Sequence, residues 1–168
     1  MQSLTDELKT TKADLISLVN AVGENDTDVI PFEGSWTVGQ LLEHLDKAVS
    51  PEILNGKVQS TDRPADQKVP EIKKIFLDFS IKFKSPDFIE PTEVVHDKNI
   101  LLDSLSGKFD ALINAAGTMS LQEESLDFEV PGMGKFTRLE WITFYMVHTQ
   151  RHMHQLTNII AALRENKN

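Results

Sequence analysis

The chain has 168 residues, 40% of them apolar and 26% charged, a balance that suits one soluble globular domain with a sizeable core. Its formal net charge of −9 argues against nucleic-acid phosphate as the main partner, because such binding needs clustered lysine and arginine. It contains no cysteine, which excludes disulfides, thiolate metal sites and cysteine nucleophiles. The acidic, amphipathic start MQSLTDELKTTKADL has no apolar core of a secretory signal, and no run reaches the length of a membrane span; the expectation is a cytoplasmic protein with no membrane partner.

Leu4, Leu8, Leu15, Leu18, Val19 and Val22 recur at helical spacing and predict a first helix over residues 4–22, with Gly23 as its C′ residue. The loop ENDTDVIPFEGS leads to a second helix beginning near Val38, where Thr37 and Gln40 form a capping box. Leu41, Leu45 and Ala48 share one face of it, and His44 stands on that face. A histidine there is either a core residue bonded to a carbonyl or a ligand, since a buried unpaired imidazole costs free energy.

Residues 55–96 read as a polar connection, NGKVQSTDRPADQ, then a short helix opened by Pro70, PEIKKIFLDF, then the extended KSPDFIEPTEVV, in which each proline biases its predecessor away from the α region. Phe88 and Ile89 are expected to plug the core, and His96, beside Asp97, to be an exposed residue of a cap region. Asp97 as N-cap and Gly117 as stop frame a third long helix, Lys98 to Ala116, with Leu101, Leu105, Phe109, Leu112 and Ala116 as its stripe. A long loop rich in acids, then in Pro131, Gly132 and Gly134, follows.

The last stretch, GKFTRLEWITFYMVHTQRHMHQLTNIIAAL, predicts a long helix capped by Thr137 with Glu140. Its stripe runs through Trp141, Phe144, Tyr145, Leu156, Ile159, Ile160 and Leu163, with His148 and His152 in the middle. Four residues advance a helix by about 400°, so these two rings stand about 40° apart, one turn above the other. His154 falls on roughly the opposite side, outside any shared site.

Four amphipathic helices with long connections define an all-α four-helix bundle with crossovers between the second and third and between the third and fourth. His44, His148 and His152 then face inward together. Three neutral imidazoles suit Zn, Ni, Fe or Cu and leave a position for water or substrate. The alternative is a metal-free cluster of buried histidines. Gln155, one turn beyond His152, Tyr145, one turn before His148, and Arg151, beside the stripe, are candidates to touch a ligand or orient a ring; each has an ordinary structural role as its alternative.

The stretch SWTVGQLLEHL, followed far downstream by GKFTRLEWITFYMVHTQRHMHQL, resembles the DinB superfamily, the DinB-like or YfiT-like bundles. The matching pieces are Trp36-Thr37, His44, His148, His152 and Gln155-Leu156, and FKSPDFIEPT and VPGMGKFTRLEW resemble the family's inter-helix segments. The resemblance implies a single DinB-like domain over residues 1–168, commonly a homodimer, with His44, His148 and His152 as ligands to one divalent metal, Zn or Ni first, Fe or Mn after them. It is a resemblance to thiol-dependent S-transferases, isomerases and hydrolases and to members with no known activity, and a small-molecule substrate is the expectation. Thiol S-transfer with a bacillithiol-type low-molecular-weight thiol comes first and metal-dependent hydrolysis second. A non-catalytic, dimeric, metal-binding stress-response module is the reading from another class.

Overall fold

A computed structural model describes residues 3–168. Five α-helices follow one another: α1 (Leu4–Asn20), α2 (Val38–Ala48), the short α3 (Val69–Phe76), α4 (Lys98–Thr118) and α5 (Arg138–Glu165). One two-stranded ladder, β1 (Val58–Gln59) with β2 (Glu124–Ser125), pairs antiparallel with Val58 opposite Ser125. The all-α expectation holds. Among the described residues no helix is long and apolar enough to cross a membrane.

Local chemistry sets the helix starts. The Thr37 hydroxyl accepts from the Gln40 N–H while the Gln40 side chain accepts from the Thr37 N–H, and Thr137 and Glu140 do the same for α5. Asp97 accepts from the N–H groups of Asn99 and Ile100, and Ser3 caps α1 through Asp6. The stops are set otherwise. The first helix ends at Asn20, short of Val22, and Gly23 has φ −63° rather than the left-handed value of a C′ glycine. Gly117 lies inside α4, which runs to Thr118 and ends where Met119 turns extended. Glycine permits a helix to end without forcing it to.

α1 and α2 each pack on both α4 and α5, and α3 lies along α5. Leu8 and Leu15 of α1, Leu41 and Leu45 of α2, Phe109 and Leu112 of α4, and Trp141, Leu156 and Ile159 of α5 fill the centre, all essentially without solvent contact. Most residues of the faces read from periodicity are buried; on α4, Leu101 and Ala116 are half-buried, and their neighbours Leu102 and Ala115 are buried.

The connections are tied down by polar contacts. Glu140 has a fully buried side chain that accepts from both Nη atoms of Arg63 (2.7 and 2.8 Å) and from the Lys68 N–H (2.8 Å), besides its capping bond to the Thr137 N–H. The polar segment around Arg63 is thereby pinned to the start of α5. In the segment expected to be extended, Asp87–Ile89 form a 3-10 turn. Ile89 is buried and Phe88 is 68% exposed, which corrects the expectation that both plug the core. Successive residues of such a turn point about 120° apart, so Ile89 faces the core while Phe88 faces outward.

His96 is a second correction. Its side chain is only 4% exposed, with Nδ1 2.6 Å from Asp28 and Nε2 2.9 Å from Glu43. It ties the start of α4 to the loop after α1 and to α2. Gly39 makes room for this: a Cβ there would stand 2.6 Å from both Asp28 and His96.

Candidate metal centre

α2 and α5 are packed neighbours, and their buried faces bring His44, His148 and His152 together. The three are 1%, 8% and 9% exposed. Their Nε2 atoms form a nearly regular triangle: 3.1 Å from His44 to His152, 3.4 Å from His44 to His148 and 3.2 Å from His148 to His152.

The far sides of the rings determine what those atoms carry. His44 Nδ1 lies 3.0 Å from the Ile89 carbonyl, which only accepts, so Nδ1 holds the proton and Nε2 a lone pair. His152 Nδ1 lies 2.9 Å from Oε1 of Gln155, which imposes the same tautomer. His148 Nδ1 is buried with no hydrogen-bond partner among the described residues. At least two lone pairs therefore face each other at 3.1 Å with no proton between them. Burial disfavours adding one: it lowers the His44 and His148 pKa, the latter well below the ordinary value, and burial and the neighbouring His44 lower His152 to about 3.

Such a triangle fits a cation. At a metal–nitrogen distance of about 2.05 Å, two tetrahedral ligands stand about 3.3 Å apart, and the observed separations bracket that value. No cysteine, aspartate, glutamate or further histidine joins the group among the described residues. The three histidines are thus positioned to bind one divalent metal ion through neutral imidazoles, with no fourth protein ligand of those types.

Aromatic rings surround the triangle. Trp36 lies 4.9 Å from the His44 ring and 6.3 Å from His152, while Phe144 stacks on His148 at 5.8 Å and Phe76 meets it edge-on at 6.3 Å. The Ile89 carbonyl has no local sequence signal, since it comes from a connection whose path is set by distant contacts; Phe76 closes α3, and the packing of α3 on α5 sets it against His148.

The other candidate residues are placed as follows. Gln155 holds the His152 ring. Tyr145 is buried against Trp141 and Phe144 and engages the Ser50 backbone, and burial raises its pKa. Among the described residues Arg151 forms no ion pair, although the Asp78 charge acts on it. Nη1 donates to the Phe76 carbonyl (3.2 Å) and the Asp78 carbonyl (3.0 Å), Nη2 donates to the Ile81 carbonyl, and the guanidinium lies over Phe83 at 4.8 Å. Glu43, on α2, is bonded to Lys47, Thr92 and His96. His154 is exposed on another side of α5 and stacks on Phe79, ring centroids 4.0 Å apart.

No curated protein and no solved structure matches the chain. The model of one family, described as the DinB superfamily, matches residues 7–156, a span holding all three histidines and Gln155. The chain belongs to the DinB superfamily.

Proposed function

We propose that this protein is a metal-dependent enzyme in which His44, His148 and His152 hold one divalent ion, Zn or Ni before Fe or Mn, and that it transfers a low-molecular-weight thiol to an electrophilic small molecule. The observation that carries the reading is the converging triangle of neutral imidazoles without a fourth protein ligand. A closed structural site uses four protein ligands, whereas a working site keeps a position open. Three neutral ligands leave the ion its full charge, so it favours the anionic form of a thiol or water placed beside it.

The chain's own residues supply the rest. Ile89 and Gln155 fix two of the rings and their tautomers. Trp36, Phe76 and Phe144 give an apolar surround in which an anion is drawn strongly to the cation. With no cysteine in the chain, the sulfur comes from outside. Overall, the thiol S–H and the electrophile's bond to its leaving group break, a C–S bond forms, and the proton departs with the leaving group. A homodimer in the cytoplasm belongs to the same reading.

Elemental analysis of protein purified without added metal or chelating resin, beside His148→Ala, is the first test. About one equivalent of transition metal, lost in the variant, supports the site, and no metal even on titration removes it. Loaded protein is then assayed for consumption of a small thiol with an alkyl halide or epoxide. Hydrolysis of activated esters without thiol consumption replaces this reading by the hydrolase, and inactivity in both by the non-catalytic module.

A further inference from the structure

The three rings of the triangle are not held alike. Two are fixed by hydrogen bonds at Nδ1, but His148 has none there among the described residues. Besides the other two histidines, what bounds its ring is Phe144, from its own helix, and Phe76, at the end of α3. Phe76 begins the strap of residues 76–83, which runs out from α3 and carries the exposed rings of Phe79 and Phe83.

Phe76 itself packs against the core and meets Phe144 edge-on at 5.1 Å, but beyond it apolar burial does not explain how the strap stays in place, because Leu77, Phe79, Ile81 and Phe83 are all 36–50% exposed. Its attachments lie along α5. Arg151 donates to three of its backbone carbonyls, of Phe76, Asp78 and Ile81. Phe83 covers the guanidinium and also stacks on Phe76 at 5.3 Å. Phe79 lies flat on His154. Only a planar fork of several N–H donors can bridge carbonyls so spread along the chain; a lysine is a point charge on a flexible stem.

We infer that Arg151 is a positioning residue for the metal centre: by clamping residues 76–83 it sets Phe76 against His148 and so orients the one ligand that no hydrogen bond orients. The inference rests on the metal reading above and adds a coupling to it. Whatever fixes the strap strengthens metal binding through His148, and by reciprocity a metal on His148 steadies the strap.

Two measurements on the full chain test this. The first is cobalt(II) affinity, read from its visible absorption, for wild type, Arg151→Lys, Arg151→Gln and Phe83→Ala, with Gln155→Ala for comparison. Arg151→Lys and Arg151→Gln are expected to bind about tenfold more weakly, the lower end for loss of a group that orients a ligand. Phe83→Ala, whose ring is half exposed and outside the core, is expected to weaken binding in the same sense. Combining Arg151→Gln with Phe76→Leu is expected to be non-additive, while Arg151→Gln with Gln155→Ala, which acts on a different ring, adds. The second is tryptic cleavage after the exposed Lys82 and Lys84. Zinc is expected to slow it in wild type relative to cleavage after Lys57, and not in Arg151→Gln. Full affinity in Arg151→Lys would show that charge rather than the clamp matters and overturns the inference, as does zinc-independent cleavage in wild type. Wild type that binds no cobalt overturns the metal reading itself; variants that match a cobalt-binding wild type, or zinc-independent cleavage of a wild type that binds metal, overturn the coupling alone.

Discussion

At the scale of single residues, two sets of histidines respond to pH with opposite sign. In the metal-free protein the triangle prefers to be neutral: burial lowers all three pKa values, to about 3 for His152. Between there and the ordinary value of 6.5 the unfolded chain binds protons that the folded one does not, so stability falls as pH drops below 6.5. His96 runs the other way. Burial works against its charge, but the bonds to Glu43 and Asp28 outweigh that and raise its pKa. The stabilisation it gives is complete below 6.5 and is lost as pH rises through the raised value. Thermal melts of chelated protein should therefore show the melting temperature falling from pH 7 to pH 5, and falling less in His152→Phe. Wild type should exceed His96→Gln most below pH 6.5, the gap closing in alkali. A gap that widens with pH would refute the doubly bonded imidazolium.

At the scale of elements, helix starts were legible because they depend on residues three apart. Thr37 with Gln40, Thr137 with Glu140, and Asp97 each act within one turn, so local spacing carries the whole signal. Helix ends were less so, since Gly23 and Gly117 only allow a stop. Glu140 goes beyond its local role. Its capping partner is three residues away, but Arg63 is 77 away, and nothing in the sequence ties the two. The consequence is measurable by denaturant unfolding. Thr137→Ala should cost about 1 kcal/mol, the usual loss of a cap. Glu140→Ala should cost about 3 kcal/mol, because it also leaves the partly buried Arg63 without its main partner. Equal losses would mean that the ion pair contributes nothing net.

At the scale of the whole molecule, the metal reading links ligand binding to stability. The triangle draws on α2 and α5 and is braced by Ile89 from the long connection between α2 and α4, so an ion there binds the folded chain alone. At a free zinc concentration 100 times the dissociation constant the gain is about 2.7 kcal/mol. For a chain of this size that corresponds to a rise in melting temperature of roughly 5–10 °C. Differential scanning calorimetry with zinc and with a chelator measures it, and His44→Ala should abolish the difference. A zinc-dependent rise that persists in His44→Ala would place the ion elsewhere.

The sequence by itself determined the helices, their N-terminal caps at Thr37, Asp97 and Thr137, most of the buried stripes and the inward-facing set of His44, His148 and His152. These follow from a fixed rotation per residue, which turns spacing into a face. Tertiary structure alone decided the burial of His96 between Asp28 and Glu43, the pairing of Arg63 with Glu140, the β1–β2 ladder, and the course of residues 76–89 that brings the Ile89 carbonyl to His44. Each joins groups many residues apart through a connection with no repeating pattern. Such contacts form only where the packed helices leave a carbonyl, a carboxylate or a ring within reach, and no spacing rule along the chain encodes that distance.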